Sequence, residues 1–170
     1  MKHLKKVAVV ALMLFAVATS FVNAQSKVAH IDVTQLLGAM PEMKTAEAEL
    51  MKLQETYNAD IQASMTELRN KVTQYQNEAP SKTKEENEKR AIELQGFEKN
   101  IGEAQQAAQQ EFQKKQGELF TPISEKAKAA IEKVAIALGF DYVIDAQPQA
   151  GLIVARGKDL LVEVKKELGF

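Results

Sequence analysis

The chain has 170 residues with 26% charged side chains, a net charge of −1, an aromatic fraction of 6% and neither cysteine nor tryptophan. This composition excludes a disulfide scaffold, a thiol nucleophile and a thiolate metal site, and it is poor in the aromatic residues that fill a large globular core. His3 and His30 are the only histidines, so a histidine-based catalytic or metal centre has almost nothing to be built from.

Lys2, Lys5 and Lys6 precede an apolar run over residues 7–18, and the small-residue stretch Val22, Asn23, Ala24 precedes Gln25. That order predicts a secretory signal peptide over residues 1–24, because the apolar run is too short to span a bilayer. Cleavage after Ala24 leaves 146 residues with no cysteine to carry a lipid, and the loss of three lysines takes the net charge to −4. An acidic chain argues against nucleic acid as a partner.

Residues 27–33 alternate as a strand, with Ala29, Ile31 and Val33 on one face and Val28, His30 and Asp32 on the other. From Pro41 to Ala79 apolar residues recur in steps of three and four, at Leu50, Leu53, Tyr57, Ile61, Met65, Leu68, Val72 and Tyr75. Such a narrow stripe predicts one long helix with a coiled-coil-like seam. Pro80-Ser81 breaks it, and Thr83 with Glu86 forms the capping box of a second helix. The stripe resumes at Leu94, Phe97, Ile101, Ala104, Ala108, Phe112 and Leu119; Pro122 predicts a kink or restart before a Gly139 C-cap.

Residues 41–79 and 83–121 number 39 each, roughly 58 Å of helix apiece, so two equal arms joined by a tight turn form an antiparallel hairpin. Beyond it, residues 140–146 place Phe140, Tyr142, Ile144 and Ala146 on one strand face, and residues 152–156 read as a hairpin partner after a Pro- and Gly-containing loop. Leu160, Leu161, Val164 and Leu168 mark a closing helix. The fold class is therefore α+β. The hairpin buries only its seam and protrudes as an arm over residues 42–121, on a strand body formed by residues 25–41 and 122–170. Three short strands are too few for an independent sheet, so the body is expected to oligomerise through them.

The signal peptide, the strand-and-short-helix start over residues 27–37, the long charged hairpin and the strand over residues 139–146 together resemble the Skp/OmpH family of periplasmic chaperones. The resemblance covers essentially the whole exported chain and rests on the order of the elements. It implies a homotrimer in the periplasm, whose strands complete a small β-barrel and whose arms surround a cavity for unfolded outer-membrane proteins. On that basis Ile31, Val33, Tyr142, Ile144 and Val154 are the expected residues of the trimer body. Met43, Met51, Tyr57, Met65, Tyr75, Phe97 and Phe112 are the client-binding candidates, with Met43 and Met51, which fit the seam least well, the best placed for a cavity wall. The same residues also zip the hairpin shut, and for those in the seam this is the simpler role.

In one respect the chain departs from the basic members of that family. Residues 77–90 carry four acidic and four basic side chains, and residues 42–121 carry 15 acidic and 11 basic. A neutral tip on an acidic arm counts against contact with lipopolysaccharide or membrane through charge. No nucleophile, base and orienting group can be assembled, so no enzymatic activity is expected, and no cofactor or metal. His30 with Asp32 makes no metal site, Asp141 and Asp145 read as solvent-facing or helix-terminus partners, and Arg156-Gly157-Lys158 lacks the context of a phosphate loop. The competing function is a structural or adaptor coiled-coil protein of the cell envelope.

Overall fold

A computed structural model describes residues 26–148 and 150–170; the expected signal peptide lies outside the described residues. The elements in chain order are β1 (Val28–Ile31), α1 (Val33–Ala39), α2 (Pro41–Glu78), a 3-10 turn (Ala79–Ser81), α3 (Lys84–Leu138), β2 (Tyr142–Asp145), β3 (Lys158–Asp159) and α4 (Leu161–Leu168). The architecture is the expected one, a long helical hairpin on a small strand body.

The arm begins at Pro41, whose fixed φ suits the first turn of α2, and α2 runs for 38 residues. At its far end the chain reverses through the 3-10 turn. Thr83 then caps α3: its hydroxyl accepts the Glu86 backbone N–H at 3.2 Å, and the Glu86 carboxylate accepts the Thr83 N–H at 2.9 Å. The box supplies partners for two N–H groups that the first turn of a helix leaves unsatisfied. From there α3 continues for 55 residues as one helix with Pro122 inside it, so the helix does not restart there, to Gly139, whose φ of 73° provides the left-handed cap.

The body departs from expectation in three places. Val33 does not extend β1. The Asp32 carboxylate accepts the Gln35 N–H at 2.8 Å, an N-cap that starts α1 at Val33, and the Asp145 carboxylate accepts the Val33 N–H at 3.3 Å. Residues 152–156, including Val154, form no strand. The third strand is the polar pair Lys158–Asp159, and it lies beside β1 rather than in a hairpin with β2. The sheet has the order β2-β1-β3 and is parallel throughout, with Val28 opposite Tyr142, His30 opposite Ile144 and Asp159 on the other side of His30. Parallel neighbours cannot be joined by a tight turn, so residues 146–157 are used up in crossing past β1.

One face of this sheet is covered by the chain itself. Ala29 and Ile31 point into a core with Leu36 and Met40, the base of α2 (Met43, Ala46), the lower α3 (Ile123, Ala127, Ala130, Val134) and Leu160 with Val164. Leu36, Met40, Leu160 and Val164 are fully buried, and each large aliphatic side chain so placed stabilises the body by about 1.5–3 kcal/mol. Alanines 127 and 130 give the helices room to approach closely. The other face is uncovered: Val28, Tyr142 and Ile144 stand exposed on it, at 44%, 61% and 43%. Parallel sheets normally have both faces covered.

Candidate functional site

Two regions are candidates for function, the open sheet face and the arm. Tyr142 and Ile144 occupy the open face as neighbours of Val28 and His30 in the register. Ile31 does not: it is 1% exposed and belongs to the internal core of the body. Val33 packs against the same core from α1, and Val154 sits in the crossover, where neighbouring Ile153 is 96% exposed. Of the two carboxylates read as solvent-facing or helix-terminus partners, Asp145 serves a helix start and Asp141 the chain ahead of β1. Asp141 accepts the Lys27 N–H at 2.8 Å, while Asp145 accepts those of Val33 and Gln147.

Along the arm the seam holds Leu50, Leu53, Tyr57, Ile61, Leu68, Val72 and Tyr75 from α2, all but Leu50 only partly buried. Ser64, not Met65, takes the inward place between Ile61 and Leu68, and Met65 is 41% exposed. At 3.6 residues per turn position 64 lies nearer the centre of the stripe than position 65. Met51 is 64% exposed. Met43 is buried in the body core; its spacing to Ala46 and Leu50 continues the three-four step, a signal in the sequence that ties it to the base.

The distal arm is held by polar groups. Tyr75 donates its hydroxyl to Glu93 at 2.7 Å, Lys71 reaches the same carboxylate at 2.8 Å, and Lys71 also stands 4.8 Å above the Phe97 ring. Arg90 stacks 4.5 Å from the Tyr75 ring centre and pairs with Glu78. Tyr75 and Phe97 are thus occupied within the arm. The Lys71 ammonium, then the Tyr75 hydroxyl, hold the Glu93 carboxyl below the ordinary carboxylate range, and the same contact pushes the Tyr75 phenol up. Hydrogen bonds from Gln74 and Arg90 lower Glu78. Nearer the base Lys115 pairs with Glu49 at 3.0 Å, and Lys126 pairs with Glu42.

At the tip each cation has a carboxylate within 4.0 Å: Lys82 with Glu86, Lys84 with Glu88, Lys89 with Glu85 and Arg90 with Glu78. Open grooves run beside the seam in the proximal half, and two of them lie above the base. One, of about 320 Å³, is lined by Leu53, Thr56 and Tyr57 with the charged Glu49, Lys52, Glu111, Lys114, Lys115 and Glu118. The second, of about 210 Å³, lies between Gln54, Asn58 and Ile61 on α2 and Gln105, Gln109 and Phe112 on α3. Tyr57 and Phe112 therefore line grooves as well as the seam. Among the described residues no helix is long and apolar enough to cross a membrane.

Residues 27–168 match the family model described as outer membrane protein (OmpH-like). The chaperone protein Skp of Pectobacterium atrosepticum is 23% identical over 151 residues, 89% of this chain and 90% of that protein. Its counterpart in Photorhabdus luminescens is 24% identical over 157 residues, covering 91% and 94%. Among solved structures, an OmpH-like outer membrane chaperone of Caulobacter crescentus superimposes with a TM-score of 0.74 over 85% of each chain at 18% identity, which shows a shared fold.

Proposed function

Because the chain belongs to the OmpH-like family, we propose that it is an ATP-independent holding chaperone of the periplasm. It works as a homotrimer, with residues 25–41 and 122–170 as the body and residues 42–121 as an arm, and it keeps unfolded outer-membrane proteins from aggregating in the space between arms. The names of the two Skp relatives support the chaperone reading. The observation that carries it is a protruding arm set on a sheet with an open apolar face.

An isolated three-stranded parallel sheet with Tyr142 and Ile144 in water lacks half of its expected cover, and identical chains packed around a symmetry axis would supply it. The arms then extend as separate walls. Holding an unfolded chain needs many weak contacts rather than a reacting group, and unfolded barrel strands expose the alternating apolar residues and unpaired edges that aggregate in water. The pairing of every tip cation supports the view that lipid headgroups are not captured by charge at the tip.

The test is light scattering of a urea-unfolded outer-membrane barrel protein diluted into buffer with and without residues 25–170, alongside the mass of the chaperone across a dilution series. Suppressed scattering and a mass of three chains are expected. Ile144→Asp, which puts a charge on the open face, should abolish the trimer while leaving the helical signal in place. Client binding without suppressed scattering would point to an envelope adaptor instead.

A further inference from the structure

The two grooves lie on opposite flanks of the seam, and around them the flanks differ in chemistry. On one flank the groove presents Gln54 and Asn58 against Gln105 and Gln109. Positions seven apart on a helix fall on the same side, two turns along. Stepping from Asn58 gives Met51 and Met65, 64% and 41% exposed, and then Val72. Stepping from Gln109 gives Gln116, Gly102 and Gln95. From Met51 to Val72 and from Gln95 to Gln116 neither row contains an ionisable group; the next steps reach Lys44 and Glu88, and Glu98 lies seven positions before Gln105.

The other flank is built differently. Its groove is lined by Glu49, Lys52, Glu111, Lys114, Lys115 and Glu118, and stepping from Leu53 along the same side gives Asp60 and Glu67. Ion pairs such as Glu49 with Lys115 stitch it together.

We propose that the amide-and-methionine flank is the surface that touches the client, and that the charged flank faces away from it. This rests on the chaperone reading above and specifies where that reading acts. The occupant is an unfolded polypeptide with free peptide groups and apolar side chains. Each glutamine or asparagine amide carries both a donor and an acceptor, the same pair a peptide group offers, so it hydrogen-bonds an unfolded backbone in any register. Methionine thioethers between the amides accept apolar side chains of varied shape. Over this uncharged stretch a client docks without stripping water from an ion, whereas beside the other groove Glu49, Lys52, Glu111, Lys114, Lys115 and Glu118 impose that cost.

The experiment uses the mature full-length chain with a photoreactive phenylalanine analogue at Met65 or Gln109, and in parallel at Glu67 or Glu111, mixed with a urea-unfolded outer-membrane barrel protein. Crosslinks to the client are expected several-fold more often from Met65 and Gln109. A second pair of variants removes dependence on the probe. Asn58→Glu should weaken client affinity about fivefold, equivalent to about 1 kcal/mol, while Thr56→Glu in the charged groove should leave it unchanged. Circular dichroism checks that both keep the arm helical. If the unaltered chain fails to hold the client soluble, the chaperone reading falls and this assignment with it. If it holds the client while both flanks crosslink equally, or while Thr56→Glu weakens binding as much as Asn58→Glu, the flank assignment alone is wrong.

Discussion

The base of the hairpin and its distal half belong to the same two helices, yet different physics holds them. At the base, α2 and α3 contribute Met43, Ala46, Ile123 and Ala127 to a core closed by β1, α1 and α4, and the side chains there are nearly inaccessible to water. Above Leu50 no seam residue is fully buried, and contact between the helices depends on a single stripe plus exposed polar pairs such as Lys71 with Glu93. A helix pair that buries one seam gains little per turn from the hydrophobic effect, and exposed ion pairs add about 0–1 kcal/mol each. The contrast fits a rigid platform carrying compliant limbs.

Truncation in the two regions should break this contrast if it is wrong. Leu36→Ala empties a fully buried site and should cost about 2–5 kcal/mol in urea unfolding. Leu68→Ala removes a half-buried seam residue and should cost about 1 kcal/mol. Equal losses would mean that the arm packs against something as extensive as the body core.

A smaller effect sharpens the comparison within the arm. Gly102 is an interior residue of α3, and a Cβ placed there meets no atom within 4 Å. Gly102→Ala should therefore stabilise the arm by about 0.5–1 kcal/mol, seen as slower amide exchange in the neighbouring turns and none in β1.

The smallest effect concerns pH. Glu93 and Glu78 titrate below the ordinary carboxylate range because Lys71, Tyr75, Gln74 and Arg90 favour their ionised forms. A depressed carboxylate contributes stability above its unfolded value and loses it as pH falls through the folded one. Lys71 is raised by the same contact, so once Glu93 is ionised its contribution lasts until pH climbs through the folded lysine value at the alkaline end. Amides near the tip should thus lose protection relative to those of the body below about pH 4. Glu93→Gln should flatten that difference, and its persistence would show that Glu93 is not responsible.

Much of the arm was legible in the sequence because its signals are local. The three-four stripe, the Thr83–Glu86 box and Gly139 each act within a turn or two of helix; the box and Gly139 stand where the pattern placed them, and the stripe does so except at Met65 and Ala104, which are exposed. The body was harder because its decisive contacts join distant segments. Asp32 shortens β1 by capping α1, a choice reinforced by Asp145 from the other end of the chain. The alternation in residues 152–156 looks like a strand, but β3 pairs through the backbone of two polar residues whose side chains carry no pattern. On β2 the alternation was read correctly, yet Tyr142 and Ile144 point out of the single chain and Val143 packs inward, because which face meets a core depends on partners the pattern does not name. In the arm, sequence reading took Met65 for a seam residue because of its hydrophobicity, while helix geometry turned Ser64 inward.

In terms of chain topology, the entire arm is the loop that joins β1 to β2. Lys27 and Asp141, which hydrogen-bond at the mouth of the sheet, are 114 positions apart in sequence. Closing a flexible loop of that length costs entropy before any strand contact repays it, and such distant pairings form slowly. A zipped hairpin changes the arithmetic: once α2 and α3 lie side by side, Met43 and Ile123 are already neighbours, and only the short segments beyond them remain to be joined. Zipping from the tip turn toward the sheet is thus the route with the smallest loop-closure cost, and Thr83 and Glu86, farthest from the body in space, stand at its start.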